Sequence, residues 1–248
     1  MATKFRADEL LVESGLAESR TAAARMIMAG QVFTDSMSVD KPSRTYGSAT
    51  KFYVKNPPRY VSRGGEKLAG FFRIYGEPLA GKRILDIGAS TGGFTDFLLQ
   101  NGAASAVCVD VGHGQLHYKL RSDGRVTCIE GANGRRLGEI LDGAASFHLV
   151  VMDLSFISLK KILREAWPFL SSGGLLIALI KPQFEATKEE ARQWRGVIGD
   201  ESIRSRVRSE IADFIGLNLS NAAIVAEMES PIVGADGNVE FFIGARKI

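Results

Sequence analysis

The stretch "LDIGASTGGFTDFLL", residues 85–99, reads as the end of a strand, a glycine-rich turn and the start of a helix. Leu85 and Ile87 flank an acid. Gly88, Gly92 and Gly93 then let the backbone pass close to a ligand, and an apolar helical segment follows Thr95. A strand that turns tightly into a helix is the repeating unit of a parallel α/β sheet, so this stretch predicts the fold class of everything around it.

Four more β-rich runs lie downstream: "AVCVD" (106–110), "VTCIE" (126–130), "FHLVVMD" (147–153) and "LLIALIK" (175–181). Each ends in a polar residue, and helical or loop segments separate them. With "RILDI" (83–87) they predict a mostly parallel, Rossmann-like sheet covered on both faces. The tail "AAIVAEMESPIVGADGNVEFFIGARK" (222–247) holds two strand-like runs around a turn-rich "PIVGADGN", an antiparallel hairpin closing one edge. Ligands of such sheets bind at the carboxyl ends of the strands, which places Asp86, Asp110, Glu130, Asp153 and Lys181 on one rim.

The glycine spacing is not the G-x-G-x-x-G of dinucleotide-binding folds. A carboxylate, Asp86, stands beside the turn, where it suits a cationic ligand better than a pyrophosphate. Asp110 ends the next strand at about the right separation to accept ribose hydroxyls. An adenosyl cofactor without a pyrophosphate fits both acids, namely S-adenosylmethionine, and the activity to expect is methyl transfer.

A different piece precedes this sheet. "RADELLVESG" (6–15) and "SRTAAARMIMAG" (19–30) have apolar residues at helical spacing and close on glycine, with Ser19 placed to cap the second helix. Short strand-like segments follow to residue 55. "NPPRYVSRGG" (56–65) reads as the linker, giving domains at 1–60 and 61–248. Residues 1–60 hold nine Lys/Arg against six Asp/Glu, whereas the remainder is balanced at 22 and 22, so the whole net charge of +3 lies in the first piece. A polyanion is its expected partner.

The apolar share of 45% and charged share of 24% describe an ordinary globular chain and argue against long disorder. No apolar run approaches the roughly 20 residues that span a bilayer, and the N-terminus lacks a signal-peptide core, so the expected location is the cytoplasm, with no membrane partner. Cys108 and Cys128 sit in strand-like runs and read as packing residues.

"LLIALIKPQFEA" (175–186) poses a chemical question, because Lys181 ends a strand that otherwise reads as fully buried. Either it leaves the core for solvent or it points into a cleft shared with Asp153. Here the chain resembles a known family, the TlyA-type proteins, also called the hemolysin A family. The resemblance runs through "RADELLVESGLAESRTAAARMIMAGQV", "YVSRGGEKL", "LDIGASTGGFTDFLL", "VMDLSFISL", "IKPQFE" and "VEFFIGARK". It implies a small α+β S4-type RNA-binding domain joined to an FtsJ-like domain that methylates ribose 2′-hydroxyls of ribosomal RNA, in this family of cytidine. The implied catalytic set is Lys67, Asp153, Lys181 and Glu240. Lys181 is expected to orient the hydroxyl, with deprotonation as an open second role, Asp153 and Glu240 to position the lysines, and Lys67 to face the substrate. In-line displacement needs such alignment more than it needs covalent help. Lys67 and Glu240 could instead be surface charges, though a carboxylate among the apolar residues of "VEFFIGA" needs a partner. The cofactor is expected on Asp86, Gly88, Ser90, Gly92, Gly93, Asp110 and Asn133. Ribosomal RNA, free or in subunits, is expected on Arg6, Arg20, Arg25, Lys41 and Arg44. A membrane-active hemolysin and an inactive RNA-binding scaffold are the competing classes.

Three further signals are discounted. "NPPRY" resembles a base-stacking loop of amino-methylating enzymes, but Arg59 interrupts it. His113 and His117 stand four apart without a third metal ligand. Arg204 and Arg208 share a helix face that reads as solvated, with RNA contact as the alternative.

Overall fold

The computed structural model describes residues 4–35, 37–55, 58–141, 143, 146–234 and 236–248. The chain divides into two units, Met1–Arg59 and Tyr60–Ile248. Asn56 and Pro57, where the expected linker begins, lie outside the described residues.

The smaller unit runs β1 (Lys4–Arg6), α1 (Ala7–Glu13), α2 (Arg20–Met28), β2 (Val32–Phe33), β3 (Thr45–Gly47) and β4 (Tyr53–Val54). β1 pairs with β3 and β2 with β4, both antiparallel. Ser19 caps α2 by accepting from the Ala22 amide at 3.2 Å. Leu10, Leu11, Ala23, Ile27 and Val32 form its core. Beside them sits the buried carboxylate of Asp8, held by Arg6 at 2.8 Å and Arg20 at 3.5 Å.

The larger unit continues with α3 (Arg63–Ile74), β5 (Arg83–Ile87), α4 (Gly93–Gln100), β6 (Ser105–Val109), α5 (Tyr118–Arg121), β7 (Val126–Ile129), α6 (Leu137–Ile140) and β8 (Phe147–Met152). Then come α7 (Lys160–Ala166), β9 (Leu170–Ile180), α8 (Pro182–Glu185), α9 (Lys188–Gln193), α10 (Glu201–Asn218), β10 (Ala222–Glu229) and β11 (Phe241–Lys247). Among the described residues its sheet has seven strands in the order β10-β11-β9-β8-β5-β6-β7. β9, β8, β5, β6 and β7 are parallel, while β11 pairs antiparallel with both β9 and β10.

The period of two along each strand sorts the core into two layers. Leu85, Val150, Leu176 and Ile243 pack on one face with Ile162, Leu163, Ile211 and Ile215 of α7 and α10. Ile84, Val151, Ile177 and Phe242 pack on the other with Leu68, Phe71, Phe97 and Leu98 of α3 and α4. Phe71 is fully buried, with its ring centroid 5.4 Å from that of Phe242. Truncating a side chain like Phe71 to alanine costs about 3–5 kcal/mol. Asp86 has the parity of Ile84, so its carboxyl faces α4. No helix among the described residues is long and apolar enough to cross a membrane.

Two local readings are corrected. Arg63-Gly64-Gly65, expected to loosen a linker, is the first turn of α3. A Cβ at Gly65 would lie 2.4 Å from the Tyr60 ring, so the missing side chain serves tight packing. β9 begins at Leu170, five residues before the apolar run, because Ser171–Gly174 form an irregularity where the β8–β9 register shifts.

Candidate active site

Strand register builds the site. Ile87 pairs with Met152, Met152 with Ala178, and Ile180 with Phe241. The residues just beyond these strand ends, Asp153, Lys181 and Glu240, therefore emerge at one edge of the sheet. Lys67 joins them from the buried side of α3.

The four charges form two pairs. Lys67 Nζ donates to Glu240 Oε2 at 2.5 Å, with side chains only 9% and 3% exposed. Neither is a surface charge. Lys67 lines neither cavity described below, and its ammonium is turned to Glu240. Lys181 Nζ forms an ion pair with Asp153 Oδ1 at 2.5 Å, and it donates to Ser155 Oγ at 3.1 Å. The Lys181 side chain is 11% exposed, so it stays at the edge of the core and does not run out to solvent.

Beside these pairs the turn after β5 frames two cavities of about 540 and 220 Å³, which share Gly88, Ser90, Asp153 and Ser155 in their walls. The larger adds Asp110 and Asn133; the smaller adds Asp86, Gly93 and Lys181. Gly88 has φ 78°, and a Cβ there would lie 2.9 Å from the Asp153 carbonyl oxygen. Only glycine lets this turn lie against the strand end that carries Asp153. Gly92 lines neither cavity. Its φ is 90° and a Cβ would strike Leu120 of α5 at 2.2 Å, so it serves the packing of that helix.

Asp110 accepts from the amides of Ser90 at 2.8 Å and Gly112 at 2.7 Å, which pins Ser90 at φ 48° and leaves further lone pairs on both oxygens. Asn133 accepts from the Arg135 amide at 3.0 Å, leaving its amide group as a donor. Asp86 is buried. One of its oxygens accepts from Thr95 N (3.2 Å) and Oγ1 (2.7 Å), and the other has no partner among the described residues. Burial pushes its pKa up to about 7, with Asp153 and Asp110 adding repulsion and the Thr95 bonds opposing. An orphaned buried carboxylate oxygen in the wall of the smaller cavity fits a cationic group, and Asp110 and Asn133 fit a nucleoside in the larger.

Ser155, Phe156 and Glu185 lie within "VMDLSFISL" and "IKPQFE", but the sequence assigned them no role. Phe156 adopts φ 64°, a rare conformation for a bulky residue, and its ring is 90% exposed at the mouth of the larger cavity, 5.1 Å from the Phe184 ring. Other sequence candidates serve the fold. Glu130 accepts from Gly114 N at 2.9 Å and pairs with Arg121. His117 Nδ1 accepts from Lys119 N at the start of α5. Arg204 pairs with Glu201, and Arg208 lies over the Phe241 ring. In the smaller unit, Arg6 and Arg20 hold Asp8, and Arg44 pairs with Asp40 at 3.0 Å. Arg25 and Lys41 make no ion pair among the described residues.

Comparison with known proteins gives the family. The family described as FtsJ-like methyltransferase matches residues 60–247. The chain belongs to the FtsJ-like methyltransferase family. This FtsJ-like chain is 40% identical over 250 residues to the 16S/23S rRNA (cytidine-2'-O)-methyltransferase TlyA of Mycobacterium tuberculosis, covering 99% of this chain and 91% of that one. It is 38% identical over 240 residues to hemolysin A of Brachyspira hyodysenteriae, covering 96% and 98%. Among solved structures, a candidate hemolysin from Streptococcus thermophilus superposes with a TM-score of 0.73 at 37% identity, over 100% of this chain and 90% of that one.

Proposed function

We propose that this chain is an S-adenosylmethionine-dependent methyltransferase of the ribose 2′-hydroxyl of cytidine in ribosomal RNA. In the same reading it works in the cytoplasm, and residues 1–60 form an S4-type RNA-binding domain. The observation that carries the reading is the pair of lysine–carboxylate contacts at one sheet edge, beside two cavities that share the Asp153 and Ser155 walls.

When bound, the cofactor supplies a methyl group on a positively charged sulfur. The chain's own residues then have three tasks. Asp86, with one oxygen unpartnered among the described residues, would hold the cationic amino-acid portion, and Asp110 and Asn133 would hold the ribose and base. Lys181 orients the target hydroxyl, with Asp153 and Ser155 fixing the amine, and once it has released its own proton to solvent its Nζ can accept the hydroxyl's. Glu240 closes the edge opposite Lys181, and Lys67 holds Glu240 in place. The exposed ring of Phe156 offers a stacking face to an unpaired base. In the smaller unit, Arg25 and Lys41 are the cations best placed for phosphates, while Arg6, Arg20 and Arg44 divide their charge between RNA and their own carboxylates.

Single-turnover transfer to ribosomal RNA at saturating cofactor tests the reading. Lys181→Ala lowers the rate by about 10²-fold or more while cofactor and RNA affinities hold. Lys181→Arg does not rescue, because a guanidinium keeps the charge but cannot give up its proton. A near-parental rate in Lys181→Ala refutes the assignment.

A further inference from the structure

Two loops make the catalytic edge. One follows β8 and carries Asp153, Ser155 and Phe156 into α7. The other follows β9 and carries Lys181 into the single turn of α8. At the cavities they are joined by Lys181 with Asp153, Lys181 with Ser155, and Phe184 with Phe156. Each of these links involves a group that substrate or cofactor would disturb. Another link lies on the far side of the loops. Glu185 Oε2 accepts from Ser158 Oγ at 2.5 Å and Oε1 accepts from Leu159 N at 2.6 Å. One carboxylate from the Lys181 segment therefore spans the last two residues before α7, whose first amide, Lys160 N, donates to the same Ser158 Oγ at 3.3 Å.

We propose that Glu185 is a positioning residue that clamps the Asp153–Leu159 loop to the Lys181 segment, so that the two halves of the catalytic edge keep one spacing during methyl transfer. The proposal rests on the function given above and extends it to a residue that touches neither cavity. Phe156 supplies the reason a clamp is needed. Its left-handed backbone and exposed ring persist only if the loop is held at both ends. Asp153 anchors one end through β8, and the Glu185 bonds anchor the other. Both carboxylate oxygens accept from neutral donors, and burial raises the Glu185 pKa against them. The carboxylate faces Lys160 of α7 and Glu210 of α10, whose opposite charges also pair with each other at 2.9 Å.

The geometry makes an unusual prediction about the conservative variant. A glutamine can still accept from Leu159 N with its carbonyl and can donate from its amide to Ser158 Oγ, because a serine hydroxyl serves as donor or acceptor. Glu185→Gln therefore keeps the clamp, and Glu185→Ala loses it. The test uses the full chain with two readouts: single-turnover methylation of ribosomal RNA, and amide hydrogen exchange over residues 153–159. Glu185→Ala is expected to slow transfer about 30-fold, in the range produced by sub-ångström misplacement of reacting groups, and to speed exchange in that segment. Glu185→Gln is expected within about threefold of the parent in both. Ser158→Ala, which removes the hydroxyl bond to Glu185 Oε2 and the Lys160 N bond to Ser158 Oγ but keeps the Leu159 N bond to Glu185, falls between them. A parental rate and parental exchange in Glu185→Ala overturn the clamp, as does a glutamine variant as slow as the alanine one. If the parent itself does not methylate ribosomal RNA, the functional reading fails, while the exchange measurement still decides whether Glu185 orders the loop.

Discussion

Removing the Glu240 carboxylate leaves the Lys67 ammonium almost fully enclosed and without its partner. The two groups meet at 2.5 Å with side-chain exposures of 3% and 9%, so water cannot replace the missing carboxylate without opening the layer between α3 and β11. Breaking a buried pair in this way costs about 3–5 kcal/mol. For a unit of this size that corresponds to a fall in melting temperature of about 6–20 °C. Glu240→Ala should show this fall by thermal unfolding in circular dichroism. The double variant Lys67→Met, Glu240→Leu removes both charges and should recover most of the stability, because a buried ion pair replaced by apolar groups is often neutral or stabilising. It should also be inactive in methyl transfer. Stability and catalysis then separate: the pair is kept for geometry at the edge. A Glu240→Ala protein melting within about 2 °C of the parent, or a double variant no better than the single one, refutes the burial argument.

Asp86 makes stability and cofactor binding depend on pH. Its folded pKa of about 7 stands above the ordinary 3.8, so between those values the unfolded chain ionises while the folded one holds its proton. Stability therefore falls as pH rises from about 4 to 7, by on the order of 4 kcal/mol, and is flat above. Asp86→Asn should flatten that curve, and cofactor binding near pH 6 to 7 should release up to one proton, measurable by calorimetry in buffers of different ionisation heat. Phe156→Gly should relieve its strained backbone, raising the melting temperature slightly, yet slow transfer about tenfold because a stacking face is gone; an unaffected rate would remove Phe156 from the substrate side. In the smaller unit, Arg25→Ala with Lys41→Ala should reduce the salt dependence of RNA binding by about 0.7–0.9 for each phosphate no longer neutralised, and an unchanged slope in filter binding would place the phosphates elsewhere.

Much of this was legible in the sequence because it is periodic. Alternating apolar residues gave the strands "RILDI" and "FHLVVM", and the same alternation put Asp86 on the α4 face. Where local chemistry and tertiary packing disagree, reading failed. Ser171–Gly174 carry no strand preference and are drawn into β9 by its neighbour. Gly64 and Gly65 look like a flexible join, yet the room they leave is what a tightly packed helix start requires. At the site, polar residues ending strands were conspicuous against apolar runs, so Asp153 and Lys181 stood out. The burial of Lys67 and the role of Glu185 depend on partners 173 and 26–27 residues away. No local pattern records such distances.

The placement of β11 sets a timetable. This strand is latest in the chain but lies inside the sheet, between β9 and β10, and the residue before it completes the Lys67 pair across 173 positions. A nascent chain emerging N-terminus first has its smaller unit, glycine turn and both central acids in hand well before Glu240 appears. Until then the sheet has an open edge at β9 and Lys67 has no counter-charge. On the proposed function, a prematurely terminated product would carry the smaller unit without a completed transfer edge, and transfer activity becomes a reporter that synthesis has run past residue 240 and that the 173-residue-spanning Lys67–Glu240 pair has closed.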